Sequence, residues 1–363
     1  MDEQCTIFTD HRQRIYSGID VSKKSWHVSV LVGSQFYQAF TQPPEPEALS
    51  RYLKKHFPGA EYHSVYEAGY FGYWINRQLQ ALHINNIVVH PADVPTTDKE
   101  HRRKNDPVDS RKLARSLSRG ELKALYIPSE EAEHDRSLVR MRQVFVKKQT
   151  RCKLQIKSLL AFCGVTLPAE IDERYWSRHY IAWLQQVHFS TPSGTLALEA
   201  LLEELMSLRS QILRLTRAIR DLSRTPRYLP SVTLLRTIPG ISQMSAMMIL
   251  TELVDICRFH SSDQLASYAG LVPDEYSSGE QLHLGGISRR RNSALRAQLV
   301  ESAWVAVHAE GRLAVEFEAL THRMPKTKAI IRIARKLLNR IRFVLLHQQP
   351  YRIMAGRENT QNQ

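Results

Sequence analysis

The N-terminal fold is decided by residues 14–41, which read RIYSGIDVSKKSWHVSVLVGSQFYQAFT. The segment Arg14–Asp20 has the pattern of a short strand that ends in an acid. Side chains alternate in a β manner over Trp26–Val32, and Gly33-Ser34 offers a two-residue turn after which Gln35–Thr41 can pair back. These residues therefore predict three consecutive strands.

Helix and strand patterns alternate over the residues that follow. They predict a helix over Pro46–His56, a strand over His63–Ala68, a helix over Tyr73–His83, a buried strand over Asn86–His90 and a helix that begins near Pro107. Three strands followed by helix, strand, helix, strand and helix is the element order of an RNase H-like sheet. The sequence therefore predicts an α/β fold for about the first 125 residues.

Composition and charge limit the class of protein. The chain has 363 residues, 50 Lys and Arg against 36 Asp and Glu, and a formal charge of +14. Two stretches are the most basic: residues 99–157, with 17 Lys and Arg against 8 Asp and Glu, and residues 281–350, with 13 against 4. A surplus of this kind favours a polyanionic partner, above all nucleic acid, although solvated helix faces would also account for either stretch alone.

The same composition argues against a membrane or secreted protein. No apolar run reaches the roughly 18 residues of a membrane-spanning helix, and the first ten residues are polar and acidic, unlike a signal peptide. The four cysteines lie at irregular distances without a C-x-x-C pair, which argues against a zinc site and a disulfide framework. We therefore expect a protein of the cytoplasm with no membrane partner.

Long helices are predicted from about residue 129. Apolar residues recur at alternating steps of three and four, namely Leu198, Leu201, Leu205, Leu208, Ile212, Leu215, Ile219 and Leu222. This spacing is typical of a coiled-coil seam. Two arrangements satisfy it: self-association, or an antiparallel hairpin with the preceding basic helix Leu138–Leu160 and with Trp176–Gly194 at the tip.

A third region begins near Pro230. Ile238-Pro239-Gly240-Ile241-Ser242 stands before an apolar helix that runs to Val254. Such a turn fits a helix-hairpin-helix that binds phosphate through backbone N–H groups, and it equally fits a plain turn with Ser242 as N-cap. The last helix, Lys326–Leu346, combines an apolar stripe with basic residues that include Lys328, Arg332 and Arg335. We expect this basic surface to contact nucleic acid, with a membrane surface as the less favoured alternative.

Four acids lie where two predicted strands end and a helix begins. Asp20 closes the first strand, Glu67 closes the fourth, and Asp106 and Asp109 lie three residues apart on one helix face. Acids brought together in this way repel each other unless divalent cations neutralise them. Asp106 can also serve as the N-cap before Pro107, and Asp109 can interact with the helix dipole. Taken together, the four predict a metal site.

Two further sets of residues carry a resemblance to a known family. In the N-terminal half they are Gly18–Lys24, Tyr66–Gly69 and Lys104–Ala114; in the C-terminal half they are Ile238–Ile241, Ala269–Pro273, Ser277–Gly279, Gly285–Ser288 and Asn292. In these motifs the chain resembles the DEDD transposases of insertion-sequence family 110. The similarity covers most of the chain and keeps both halves in order.

The resemblance implies three domains and a tail. They are a RuvC-like domain of RNase H fold over residues 1–128, a helical coiled-coil connector over 129–228, a mostly α-helical transposase domain over 229–350 and a polar tail over 351–363. It also implies that Asp20, Glu67, Asp106 and Asp109 bind Mg²⁺ or Mn²⁺.

The resemblance further implies a reaction and its partners. The nucleophile falls on Ser278, with the neighbouring Ser277 and Tyr276 as alternatives, and a serine–DNA link would join element and target DNA. A structured noncoding bridge RNA would direct the choice of double-stranded DNA, and a homo-oligomer, dimer or tetramer, would act on the bacterial nucleoid. Apart from the resemblance, Arg289, Arg290 and Arg291 follow the Gly-Gly turn and could hold phosphates near the reacting bond, although plain solvated charge would equally account for any one of them.

Two other functions remain open at this point. A metal-only nuclease of RuvC type, such as a Holliday-junction resolvase, would use the acids with water as nucleophile. A non-enzymatic RNA-binding scaffold would use the acids only as helix caps and structural partners.

Overall fold

The computed structural model describes residues 13–95, 106–171, 174–278, 281–287 and 292–352. The chain divides into two compact units, residues 1–127 and 128–363. The further division of the second unit at residue 228 stays a prediction.

A five-stranded mixed sheet forms the centre of the first unit. Its strands are β1 (Arg14–Val21), β2 (Trp26–Val32), β3 (Gln35–Gln42), β4 (Glu61–Glu67) and β5 (Asn85–Val89), in the order β3-β2-β1-β4-β5. The first three pair antiparallel, whereas β4 runs parallel to β1 and β5 runs parallel to β4. This order and these directions are compatible with the RNase H-like domain that the sequence predicts.

Three helices within the described residues cover the sheet. They are α1 (Pro46–His56), α2 (Trp74–Ala81) and α3 (Asp106–Ser118). Side chains alternate between the faces of a strand. Ile15 and Ile19 of β1 pack with α1 and α2 on one face, while Val65 of β4 packs with Leu113 of α3 on the other.

The helix predicted over Tyr73–His83 corresponds to α2, which covers Trp74–Ala81. The prediction is two residues too long at the C-terminal end, where His83 takes φ +64°.

Helix α3 lies directly against the backbone of β1 at Gly18. A Cβ on Gly18 would stand 2.0 Å from the Ser110 carbonyl oxygen and 2.4 Å from the Ala114 nitrogen. The hydroxyl oxygens of Ser29, the β2 partner of Gly18, and of Ser110 lie 2.9 Å apart in a buried hydrogen bond. Only a residue without a side chain allows so close an approach, so Gly18 determines the distance between sheet and helix.

The second unit begins with two long helices, α4 (Glu130–Phe162) and α6 (Pro192–Leu222), with the short α5 (Arg178–Leu184) between them. Arg142 Nε donates to Thr216 Oγ1 at 2.7 Å, and Cys152 Sγ donates to the Leu201 carbonyl oxygen at 3.3 Å. The later residue of α4 contacts the earlier residue of α6, so the two helices run antiparallel. The structure contains the antiparallel hairpin, and a coiled coil between copies of the chain stays a prediction.

The remaining helices build a second core. They are α7 (Leu229–Leu235), α8 (Gln243–Leu253), α9 (Ser262–Ala269), α10 (Ser293–Ala309), α11 (Gly311–Thr321) and α12 (Lys326–His347). At the Pro-Gly turn between α7 and α8, Gly240 has φ +84°, and a Cβ there would lie 2.3 Å from the Ser302 carbonyl oxygen of α10. Ser242 Oγ accepts from the Ser245 N–H at 3.2 Å. The turn thus has the N-cap that the simpler sequence interpretation predicts.

A β-hairpin interrupts the helices of the second unit. Strand β6 (Pro273–Ser278) pairs antiparallel with β7 (Gln281–Ile287), with Ser277 opposite Leu282 and Ser278 opposite Gln281. No strand was predicted from the sequence at Ser277 and Ser278, although both belong to β6. Local Ser-Gly patterns mark a turn but do not reveal that strands continue on both sides of it.

We expect Gly18→Ala to destabilise the first unit. The added methyl group overlaps the backbone of α3, and overpacking of this kind costs roughly 1–3 kcal/mol of unfolding free energy. Urea unfolding followed by amide exchange of β1 and β4 peptides measures the loss. Gly69→Ala is the matched control because nothing lies within 4 Å of its Cβ position. Equal stability of the two variants would contradict the close-packing account.

Candidate functional site

The ends of two parallel strands bring two of the predicted acids to one edge of the sheet. Ile19 of β1 stands beside Tyr66 of β4 in parallel register. The next residues are Asp20 and Glu67, so both acids lie at the ends of their strands on the same edge of the sheet. Gly18, Asp20 and Glu67 belong to the sheet face that packs against α3, whereas Ile19 and Tyr66 belong to the opposite core.

A pocket at this edge contains a third predicted acid. Asp20, Glu67 and Asp109 all line one cavity of about 310 Å³, whose other walls include Tyr70 and Leu113. Asp109 precedes Ser110, the residue whose backbone touches Gly18. The close packing of α3 therefore carries Asp109 to the ends of β1 and β4. The largely buried Lys112 lies one turn further along, with Nζ 3.8 Å from Asp109 Oδ1.

The fourth predicted acid, Asp106, is the first residue of α3. Its backbone is three residues before Asp109, which places both on one helix face. The side chain of Asp106 lies outside the described part of the structure. Its role as a metal ligand stays a prediction.

The chemistry of the pocket fits a hard divalent cation. Within the described ranges, no three His, Cys, Asp or Glu side chains come close enough to hold a metal ion together. Mg²⁺ in phosphoryl-transfer sites commonly takes one or two carboxylates and completes its shell with water and substrate phosphate oxygens. Asp20, Glu67 and Asp109 are carboxylates around one cavity, and they supply that type of ligand.

The predicted nucleophile lies in the second unit, whereas the acids lie in the first. Ser278 is the last residue of β6 and directly precedes the turn of the hairpin. Ser277 is its neighbour on the same strand, and Tyr276 pairs with His283. All three candidate nucleophiles therefore belong to one strand end, and the choice among them stays a prediction.

The basic residues that were expected to bind phosphate have different surroundings. Arg289, Arg290 and Arg291 lie outside the described residues. Lys328 and Arg332 are exposed on α12. Arg335 lies on the same helix and forms an ion pair with Asp263 at 2.6 Å.

The apolar stripe of α12 is not available to a membrane surface. Its predicted members are buried in the core of the second unit: Ile330, Ile333, Leu337, Ile341 and Leu345. The membrane-surface alternative for this helix is therefore wrong.

Among the described residues, no helix is long and apolar enough to cross a bilayer.

Sequence reasoning missed two residues that shape the pocket. Gly18 was noted only as part of a motif, and its contact with α3 depends on two segments about 90 residues apart in the chain. Tyr70 was not noted at all, although it is 95% exposed at the rim of the pocket. The run of aromatic residues at 70–74 was the available signal.

Two family models match this chain, and both describe transposases. One, described as a transposase of the DEDD type, matches residues 17–164, which include the acid pocket. The other, described as the transposase IS116/IS110/IS902 family, matches residues 232–317, which include the β6–β7 hairpin.

Individual relatives agree with the models. The y4qE protein of Sinorhizobium fredii, named as a transposase, is 34% identical over 66% of this chain and 57% of its own length. The y4rJ protein of the same organism is 28% identical over 76% of this chain and 74% of its own. The transposase of insertion sequence IS1111A from Coxiella burnetii is 27% identical over 69% of each chain.

The matches agree on one class of protein. The chain spans little more than half the length of the y4qE protein and about 70% of the other two. Both family models describe transposases, and all three relatives are named as transposases. The chain contains the two domains described for transposases of the IS110/IS116 family.

We expect a cation bound at the acid pocket to stabilise the first unit. At Mg²⁺ about ten times its Kd, binding to the folded state adds about 1.4 kcal/mol and raises Tm by a few degrees. Asp20→Asn removes one ligand, so its Mg²⁺-dependent shift in Tm should be smaller than that of the wild type. Differential scanning calorimetry at constant ionic strength measures both shifts.

Asp221→Asn is the control for this experiment. Asp221 is an exposed acid on α6, in an ion pair with Arg224 at 3.5 Å, and its loss should leave the Mg²⁺ shift unchanged. A shift of equal size in Asp20→Asn and wild type would mean that the pocket does not bind the cation.

Proposed function

We propose that this transposase cuts and rejoins double-stranded DNA through a serine–DNA intermediate, with a divalent metal at the acid pocket and a noncoding RNA as guide. The observation that carries the proposal is the convergence of Asp20, Glu67 and Asp109 on one cavity of an RNase H-like sheet. The two family models cover this pocket and the strand of Ser278 in one chain.

The acids act as ligands in this proposal. Asp20 and Glu67, at adjacent strand ends, and Asp109 and Asp106, on α3, would hold the cation directly or through bound water. When bound, Mg²⁺ or Mn²⁺ neutralises phosphate charge and makes the phosphorus more electrophilic. Lys112 beside Asp109 adds a positive charge that orients this carboxylate and partly offsets the repulsion among the acids.

Ser278 supplies the nucleophile. Its hydroxyl oxygen forms a bond to phosphorus, the bond from phosphorus to a deoxyribose oxygen breaks, and the serine proton passes to a base. The departing oxygen takes up a proton and becomes a free hydroxyl. Attack by the hydroxyl of another strand reverses these changes and releases the serine, so rejoining conserves the bond energy and needs no ATP.

Charge and exposed surface support the proposed partners. Lys328 and Arg332, together with Arg289, Arg290 and Arg291, would contact phosphates without reading bases, and base pairing with the bridge RNA would select the target.

Large apolar side chains are exposed on the α4–α6 hairpin, namely Met141, Val144 and Leu154 on α4 and Leu196, Met206 and Leu213 on α6. These side chains favour a homo-oligomer, dimer or tetramer. The reaction would take place on the nucleoid in the bacterial cytoplasm.

A metal-only nuclease of RuvC type is the second candidate. The described pocket acids all belong to the first unit, which by itself resembles such a nuclease. Water would then attack the phosphate, and Ser278 would have no part in the reaction. A Holliday-junction resolvase would be one enzyme of this kind.

The covalent intermediate distinguishes the two candidates. The gene with its natural flanks, which should encode any guide RNA, is expressed in cells as wild type, Ser278→Ala, Ser277→Ala or Asp20→Asn. After denaturing lysis, DNA linked to protein and joined element–target products are quantified. We expect both to fall at least about 100-fold in Ser278→Ala and Asp20→Asn, because each removes a reacting group or a metal ligand.

Ser277→Ala is the matched control and should keep most of its activity. Loss of the adduct in Ser277→Ala, together with its retention in Ser278→Ala, would identify Ser277 as the nucleophile. Cut DNA without any adduct, unchanged in Ser278→Ala, would reject the serine mechanism in favour of the metal-only nuclease. Unchanged activity of Asp20→Asn would exclude the pocket from catalysis.

A further inference from the structure

A fully buried carboxylate lies near the end of helix α8. Glu252 is 0% exposed. Arg140 of α4 forms two hydrogen bonds with it, from Nε to Oε1 at 2.6 Å and from Nη2 to Oε2 at 2.7 Å. A buried charge requires such a partner, and this pair connects the long helix of the connector to the second core.

The same carboxylate reaches the base of the β6–β7 hairpin. Asn292 Nδ2 donates to Glu252 Oε2 at 2.7 Å and lies 3.2 Å from the hydroxyl of Tyr268. The Asn292 N–H donates to the Tyr268 carbonyl oxygen at 3.0 Å, and the Tyr268 hydroxyl donates to the Glu252 carbonyl oxygen at 3.0 Å. Tyr268 lies before β6 and Asn292 lies after β7. These two residues form the hairpin base, and both bind Glu252.

The backbone around Glu252 is strained and held from several sides. Val254 has φ +61° and ψ −66°, a conformation that a β-branched residue rarely adopts. The carbonyl oxygens before it are bound by arginines: Arg136 donates to Thr251 at 3.0 Å, and Arg258 donates to Leu253 at 3.1 Å. Strain of this kind persists only where the surroundings determine the backbone on all sides.

Stability alone does not explain such an arrangement. Glu252 is fully buried whereas the Arg140 side chain is 49% exposed. Removing a carboxylate from water is costly, so such a pair adds little net stability compared with apolar residues, and its best-supported use is to select one geometry. In this protein the network fixes the position of the hairpin base relative to α4. Ser278 lies at the far end of that hairpin.

We infer that Glu252 is a positioning residue, which through Arg140 and Asn292 holds the β6–β7 hairpin on α4 and keeps Ser278 in place for attack. The inference rests on the proposed function. The network itself contributes no reacting group. Its loss should therefore slow attack within the assembled complex and leave the affinity for nucleic acid unchanged.

Asn292→Asp tests the network with little change in shape. Asn292 Oδ1 accepts from the Leu295 N–H at 3.1 Å as N-cap of α10, and a carboxylate keeps that bond. The substitution removes the donor to Glu252 and places two carboxylates together. We expect adduct formation in preassembled complexes to slow at least about 30-fold, with unchanged Kd for guide RNA and DNA.

The double substitution Asn292→Asp with Glu252→Gln provides the rescue. It exchanges the positions of the amide and the carboxylate, so one donor and one carboxylate again face each other beside Arg140. We expect the adduct rate to return to within about 5-fold of wild type. A substitution that merely damaged the fold would not be repaired in this way.

Two more variants complete the experiment. Tyr268→Phe deletes one hydroxyl, keeps the ring against Arg258, and should slow the adduct by about 5-fold or more even if Asn292→Asp does not fold. Glu310→Gln is the matched control, because Glu310 is a buried acid that Arg340 also binds twice, at 2.6 and 2.9 Å, without contact to the hairpin base. It should leave the adduct rate unchanged.

The outcomes separate the inference from the proposed function. Slow adduct formation in Asn292→Asp and Tyr268→Phe, unchanged affinity and recovery in the double variant would support the inference. Wild-type rates in both single variants, no recovery, or an equal loss in Glu310→Gln would overturn it while the serine mechanism stands. DNA cutting without any adduct in wild type would overturn both.

Discussion

The contact between helix α3 and Gly18 of β1 is the constraint on which the candidate site depends. The Ser110 carbonyl oxygen and the Ala114 nitrogen occupy the space where any side chain at position 18 would begin. This approach sets the depth of α3 on the sheet and carries Asp109 to the strand ends that bear Asp20 and Glu67. A larger residue at position 18 would move Asp109 away from Asp20 and Glu67.

The second unit also contains a glycine that allows two elements to pack closely. Gly240, in the turn before α8, allows the backbone of α10 to approach so closely that a Cβ would lie 2.3 Å from the Ser302 carbonyl oxygen. Glu252, the next-to-last residue of α8, connects α4 with the hairpin base. In both units a glycine sets how closely two elements pack, and the position of a carboxylate on the packed helix follows from that contact.

Local patterns predicted most of the first unit and part of the candidate site. Alternation and a two-residue turn were enough for β1 to β3, because these strands are neighbours in sequence and in space. The acids were found because charge at the end of an apolar strand is unusual. The β6–β7 hairpin was missed since its turn signal around Ser278 is also that of a loop. Glu252 was missed because nothing in the nearby sequence shows that Arg140, more than a hundred residues away, is its partner.

The sequence by itself determined the elements, the types of chemical group and the family resemblance, because periodicity, charge and motif order are properties of neighbouring residues. Only the tertiary structure decided that Asp20, Glu67 and Asp109 share one cavity, and that Arg140, Glu252 and Asn292 form one network. These groups lie far apart along the chain. They come together through the pairing of strands and through close packing at a residue without a side chain, which no local pattern records.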